Sequence, residues 1–305
     1  MLVLVIPWLL IALLSISVIF WLFKKWLIGL LLLIVGVVIN WYFECVPFRL
    51  WPINNQSEKK SIKIMSFNID GANKNIIDRA EKIIDIINNK NPDVVFLAEF
   101  YEDDLNVLDT LLRKTFAYST CVGGYFHYFY SKYPQGVMTK LKSSGNGSGV
   151  FKCKVAMFND SITLYGCHLA SNNYTANKEY ITPDSIKSHD DLKTYIKDIG
   201  DAYLLRSYEA SALIDDISID GPILLMGDFN DVGGSKAIRS LECAGFRDAW
   251  WKGGLGYGAT IHKPLPYRID HIMFSEQFKL QKIEIVSSEG LSDHDALYAE
   301  FLLLE

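Results

Sequence analysis

Charge is missing from two stretches of this 305-residue chain: Leu2 to Phe23 and Trp26 to Phe43 contain no Asp, Glu, Lys or Arg. Cysteine is scarce as well. The five present are an odd number and build no disulfide framework. No His/Cys spacing suits a structural zinc. The glycine-rich stretches Ser143–Gly149 and Gly253–Gly258 do not end in the Gly-Lys-Ser/Thr that grips a nucleotide phosphate, so both read as flexible loops. No internal repeat is visible. A basic surplus is also lacking: after residue 50 the chain holds 27 basic and 34 acidic side chains. Binding to long duplex DNA by charge alone is therefore disfavoured, although a local basic rim is compatible with the total.

What is present begins with the two uncharged stretches. As helices at 1.5 Å per residue, each is about long enough to cross ~30 Å of hydrocarbon. Lys24 and Lys25 separate them, and Trp8, Trp21, Trp26, Trp41 and Tyr42 fall near the expected membrane boundaries. A secretory signal fits poorly, because there is no basic start, the apolar run is too long and no small-residue cleavage site follows. Residues 1–45 thus read as a transmembrane helical hairpin, with the lipid bilayer as partner of residues 2–43. Residues 46–60, with Pro47, Pro52 and Asn54-Asn55-Gln56-Ser57, read as a linker, and 61–305 as the globular domain. The positive-inside bias puts Lys24-Lys25 in the cytoplasm, hence both termini outside a cell (inner) membrane and the domain extracytoplasmic.

The globular part alternates strands and helices. Strands are expected at 62–67, 93–99, 117–122, 125–131, 150–158, 161–167, 222–226, 268–274, 279–286 and 297–304, and helices at 75–90, 105–114, 201–217 and 235–244. Asn172 to Tyr203 reads as a long charged loop. Many strands with helices outside them suggest a layered α/β sandwich. A two-residue turn at Asn159-Asp160 would set Cys153 opposite Gly166 and Cys167 opposite Lys152. The two thiols would then lie on opposite sheet faces, unable to bond.

Polar residues collect at the strand ends: Asn68, Glu99, His168, Asp228, Asn230, Asp270, and Asp293-His294. Singly, each reads as a turn former, cap or satisfied histidine. Together, at ends that converge on one edge, the carboxylates and amides suit a hard cation such as Mg²⁺. The Asp–His pairs suit proton transfer or oxyanion binding.

The ordered series IKIMSFN, DVVFLAEF, YSKYP, LYGCHLAS, ILLMGDFND, RIDHIMF and LSDHDAL resembles the endonuclease/exonuclease/phosphatase superfamily, over roughly residues 61–303. The likeness is strongest to its membrane-tethered bacterial members. The resemblance implies a deoxyribonuclease-I-like, four-layer α/β/β/α sandwich and a divalent-metal-dependent phosphoesterase that attacks with activated water. It implies Glu99 as the principal ligand of Mg²⁺, with Mn²⁺ or Ca²⁺ as alternatives, supported by Asn68 and by Asp293 as an outer carboxylate. Asp228 would orient or deprotonate water, and Asn230 would contact phosphoryl oxygens. His294 would be the catalytic histidine oriented by Asp270, and His168 would contact phosphate or act as acid. Arg206 resembles a recurrent family arginine, and Lys132 stands where arginine is commoner. The implied partner is a phosphoester substrate, either nucleic acid or a phospholipid or small molecule, and no protein partner is expected. The other class of reading is a catalytically silent binding module on the same fold. Asp270-His271 and Asp293-His294 compete for the catalytic role. Strand alternation sends His271 away from the cleft if Asp270 faces it.

Overall fold

The computed structural model describes residues 2–47, 60–70, 79–100, 105–123, 126–141, 148–158, 160–172, 187–217, 221–262 and 265–304. Most of the expected linker, the first residues of the expected 75–90 helix, the core of the Ser143–Gly149 loop and most of the segment before residue 187 lie outside them.

Two apolar helices come first, α1 (Ile6–Leu22) and α2 (Trp26–Phe43). Their close approach depends on small groups. The Ser17 hydroxyl donates to the Gly29 carbonyl at 2.7 Å, and a Cβ on Gly29 would collide with the Trp21 ring. By length and composition α2 can cross a membrane, while α1 is one residue shorter and follows a 3₁₀ turn at Leu2–Val5. The first of the two expected spans is therefore shorter than its uncharged sequence, because Pro7 starts the α-helix late. The outer surface of the pair is apolar: Leu22, Leu27 and Trp41 are each more than 70% exposed.

The rest is two six-stranded sheets. One runs β11 (Phe278–Val286), β12 (Ala296–Leu303), β1 (Ser61–Asn68), β2 (Val94–Ala98), β4 (His127–Ser131), β3 (Tyr118–Cys121). The other runs β5 (Thr139–Lys140), β6 (Gly149–Met157), β7 (Asp160–His168), β8 (Ile223–Asp228), β10 (Asp270–Phe274), β9 (Arg247–Asp248). Their inner faces share one core that includes Phe96, Phe129, Phe151, Leu224 and Phe301. On the first sheet's outer face lie α3 (Ala80–Lys90) and α4 (Leu105–Leu112), packed on Met65, Leu97 and Tyr298. On the second sheet's outer face lie α5 (His189–Asp216) and α6 (Lys236–Cys243), packed on Tyr165, Leu225 and Met273. A short α7 (Ala249–Gly253) follows β9. This is the four-layer α/β/β/α sandwich of the deoxyribonuclease-I-like fold.

Two local readings need correction. In the β6–β7 hairpin the last pair is Met157 with Asp160, so Cys153 faces Leu164 and Cys167 faces Val150. Phe158 takes a left-handed φ of 60° and moves the turn one residue earlier than Asn159-Asp160. The slip keeps each side chain on its original face: Cys153 lies in the core between the sheets and Cys167 under α5. Part of the expected Asn172–Tyr203 loop is also helix. Ser188 and Asp191 form a reciprocal capping box that starts α5 at His189, twelve residues before the expected start.

Candidate active site

The topology brings the polar strand ends to one edge. β1 and β2 run parallel, as do β7 and β8, so Asn68, Glu99, His168 and Asp228 end side by side. β10 runs antiparallel to β8 and pairs Asp270 with Asp228; β4 runs antiparallel to β2 and pairs His127 with Ala98, next to Glu99. His294 arrives just before β12, antiparallel to β1.

Asp228 is the hub. Its Oδ1 accepts from the Asn230 backbone N–H at 2.8 Å. Its Oδ2 accepts from the Asn68 and Asn230 amides, both at 3.3 Å. The same oxygen lies 3.7 Å from His294 Nε2 and 3.9 Å from His168 Nε2. Burial pushes the Asp228 carboxyl up to about 6, with Asp270 adding to the effect and the two imidazoles opposing it. Burial also raises Glu99. Burial would lower His294, but the Asp270 and Asp228 carboxylates outweigh it and hold the imidazole well above its usual range. His294 Nδ1 lies 2.8 Å from Asp270 Oδ2, which leaves Nε2 facing the cleft.

Backbone conformation at the site is unusual. Glu99 and Asn230 are non-glycine residues at φ 56° and 51°, a strained geometry that concentrates at functional sites. Gly227 explains the glycine of Gly-Asp-Phe-Asn: at φ 145°, a Cβ there would lie 1.9 Å from the Cys167 carbonyl oxygen.

The carboxylates of Glu99 and Asp228, with His168, offer ligand atoms all within 4.8 Å of one another, and Asp228, Asp270 and His294 form a second such group. Glu99 and Asp228 converge on a single Asn68 amide, with no Lys or Arg paired to them among the described residues. Two carboxylates brought together with no Lys or Arg beside them fit a hard divalent cation. Asn68 has a different placement from a direct ligand. Its nitrogen donates to Glu99 at 2.9 Å, while its oxygen accepts from the Asp70 N–H at 3.1 Å, so it orients the Glu99 and Asp228 carboxylates. Asp293 is exposed at the rim, close enough for its charge to raise Glu99.

Sequence reasoning missed several contributors. His127 Nε2 lies 2.8 Å from His168 Nδ1, and its ring stacks at 4.3 Å on Phe151. Burial, reinforced by His168, holds His127 well below the usual imidazole range, hence neutral. Its Nδ1 is buried without a partner, which a lone pair tolerates better than an N–H. His127 therefore donates through Nε2, and His168 carries its proton on Nε2, toward Glu99 and Asp228. In sequence His127 reads only as core: His127, Phe129 and Ser131 alternate on a buried face of β4. Ser292 is a clasp, donating to the Asn68 carbonyl at 2.8 Å and accepting from His294 N–H at 3.1 Å. Thr260 Oγ1 accepts from the backbone N–H of Asp270 at 3.1 Å. Arg206, which the resemblance did single out, is fully buried, donates to the Ala170 carbonyl and lies 3.3 Å from Asp231, fixing the segments after His168 and Asn230. Lys132 lies apart from the site, donating to Asn91 at 2.6 Å and pairing with Asp93.

His271 faces away from the cleft. Its Nε2 donates to the Asp231 carbonyl at 2.9 Å, and its Nδ1 lies 2.6 Å from Asp248, which also pairs with Arg268 at 2.8 Å.

The same architecture occurs in known proteins. The model of the endonuclease/exonuclease/phosphatase family matches residues 65–294, more than half of the chain. The chain belongs to that family. An endonuclease/exonuclease/phosphatase from Beutenbergia cavernae is similar in structure, with a TM-score of 0.58, 15% identity, and 81% of this chain and 72% of that one covered. D. rerio TDP2, solved with a single strand DNA product, gives a TM-score of 0.57 at 17% identity, covering 80% and 99%. Beta toxin from Staphylococcus aureus gives 0.54 at 17%, covering 78% and 99%. At such identities the likeness is one of fold. No curated relative matches the chain in sequence. The family hydrolyses phosphoesters and typically uses divalent metals.

Proposed function

We propose that this protein is a membrane-anchored, divalent-metal-dependent phosphodiesterase whose domain lies outside the cytoplasm. The observation that carries the chemistry is the environment of Asp228, where one buried carboxylate oxygen meets two amides and lies beside two imidazoles. Glu99, with Asp293 outside it, would hold a Mg²⁺-class cation, which would neutralise developing phosphoryl charge when bound. Asp228 aligns water and takes its proton. His294, charged and held by Asp270, and the Asn230 amide stabilise the phosphoryl oxygens in the transition state. His168 directs its Nε2–H toward the leaving oxygen and stabilises it by hydrogen bonding. The D. rerio TDP2 complex supports a phosphodiester as substrate class.

The apolar exterior of α1 and α2 supports the anchor, and Lys24-Lys25 in the connecting turn supports its orientation. A phosphatase reporter fused after Glu305 is expected to be active and a cytoplasmic reporter inactive; the reverse overturns the orientation. For the chemistry, the full chain should release nitrophenol from bis(p-nitrophenyl) phosphate with Mg²⁺. Chelation should stop the reaction and renewed Mg²⁺ restore it. A folded protein inactive under these conditions, and in which Asp228→Asn changes nothing, would instead be a silent binding module.

A further inference from the structure

Two chain segments connect the cleft to the exit of the apolar hairpin. The first is the segment after Asn230. Gly233 and Gly234 lie against the last residues of α2: added Cβ atoms would come within 3.1 Å of the Glu44 carbonyl oxygen and 2.9 Å of the Phe43 carbonyl oxygen. The Arg239 guanidinium lies 4.9 Å from the centre of the Tyr42 ring. The second is the segment 254–269. At one end the Gly256 N–H faces the Pro47 carbonyl at 3.4 Å. Further along, Ile261 bridges His294, and Thr260 holds both Asp270 and Asp295. Asn230 and Gly234 are four residues apart, a span of at most ~14 Å in fully extended chain. The headgroup layer is itself about 5–7 Å thick on each side of a bilayer. Trp8, Trp41 and Tyr42 mark the boundary at the same end of the hairpin.

Two leucines of the connecting loop meet solvent, one on each side of the exposed His262. Leu255, beside Gly256, is 72% exposed, and Leu265 is 45% exposed. Leu255 adjoins the hairpin exit through Gly256, and Leu265 lies between the bridged Ile261 and Tyr267 in sequence.

We infer that the exposed leucines Leu255 and Leu265 form a second membrane contact beside the hairpin, which turns the cleft toward the bilayer, so that the substrate is a phosphodiester carried by a lipid of that bilayer. The inference rests on the membrane-anchored phosphodiesterase reading above. The partner of the two leucines is the membrane that holds α2, because Leu255 adjoins the hairpin exit. In the reaction the oxygen of water bonds to phosphorus and one ester P–O bond breaks. Water's proton goes to Asp228, the departing alkoxide, held by the His168 Nε2–H, takes a proton from solvent water, and the products are an alcohol and a phosphomonoester.

The test uses the full chain reconstituted in phosphatidylcholine vesicles containing phosphatidylglycerol, with headgroup-labelled lipid. Release of label to the water phase is measured beside hydrolysis of soluble bis(p-nitrophenyl) phosphate and of a single-stranded oligonucleotide. We expect label release with Mg²⁺. Leu255→Asp and Leu265→Asp should each cut it by about tenfold or more, from the lost insertion of one leucine, and leave the soluble rate within about twofold. Soluble hydrolysis without label release would overturn this inference and leave the phosphodiesterase reading standing. No hydrolysis of any substrate would overturn that reading first. A higher kcat/KM on the oligonucleotide than on lipid would assign the substrate to nucleic acid. Equal losses on vesicle and soluble substrates in the two variants would make the leucines structural and overturn the membrane contact.

Discussion

The molecule contains two buried carboxylate–imidazole pairs of nearly equal geometry, one on each side of β10. Asp270 and His294 approach to 2.8 Å, Asp248 and His271 to 2.6 Å. They differ in what the other ring nitrogen meets. In the Asp248–His271 pair the Asp231 carbonyl closes it at 2.9 Å, and Arg268 neutralises the carboxylate. Burial would raise Asp248, but Arg268 and His271 hold it well below the usual carboxylate range. In the Asp270–His294 pair the second nitrogen faces the cleft 3.7 Å from Asp228, too far for a hydrogen bond. A pair with all its valences satisfied holds a loop in place; a pair with one left over can act on a substrate. Chemical composition does not separate the two, and neither does sequence adjacency: His271 follows Asp270 directly, yet Asp270 works with a residue 24 positions away.

The comparison is most sharply tested at His294. Its replacement by alanine should lower kcat by ~10²–10⁴-fold, the usual worth of one positioned group acting on developing charge, and Asp270→Asn should match it or fall somewhat short. An active His294→Ala enzyme would reverse the assignment of the two pairs. Next comes Glu99→Gln, which keeps the shape and removes an anionic ligand. Activity should fall strongly, half-maximal Mg²⁺ should move upward, and the melting temperature should change little; saturation at the parent's metal concentration would remove Glu99 from the ligand set. His127→Phe keeps the stacking on Phe151 but leaves the His168 tautomer unfixed. A loss of about 10–100-fold is expected, as for other partners that orient a working imidazole, and the pH–rate profile should change shape, which a purely structural defect would not cause.

His271→Ala should show the opposite signature. It leaves the Asp231 carbonyl unpaired and should cost about 1–3 kcal/mol of stability, while kcat per folded molecule stays within a few-fold. The smallest effect belongs to Glu242, beside the end of α2. Burial and the hydrogen-bonded Glu44 carboxyl push it up to about 8. The native state therefore keeps a proton that the separated carboxyl would release. Native stability, including the contact between hairpin and domain, should decline as pH rises from 4.5 through about 8. Glu242→Gln should flatten that decline in melting experiments.

Much of the site could be read in the chain because strand ends in a layered sheet converge, so Asn68, Glu99, His168, Asp228 and Asp270 needed only their strands to be found. Asn68's part in orienting Glu99 and Asp228 was not legible, since which amide end faces the carboxylates depends on the Asp70 N–H two residues on. His127 was missed because a histidine within an aromatic strand looks like core until its register beside Glu99 is known. The early start of α5 escaped because its first ten residues are mostly exposed. An apolar stripe cannot announce such a helix; only the Ser188–Asp191 capping box does. The β6–β7 turn slipped by one residue because Phe158, a poor candidate for positive φ, takes the position expected of an asparagine.

The functional groups straddle the seam between the two sheets. Asn68, Glu99, His127 and His294 belong to one, while His168, Asp228 and Asp270 belong to the other. The Phe96 ring sits against Gly166 across that seam, where any Cβ would come within 2.2 Å of it. It acts as a peg that keeps one sheet from sliding over its neighbour. A shear of a single ångström there would part the imidazoles from their carboxylates without breaking any strand. Gly166→Ala should therefore abolish the proposed hydrolysis with the secondary structure intact. In the parent, inactivation by denaturant and loss of core amide protection should coincide, since the working geometry has no existence apart from the registration of the two halves.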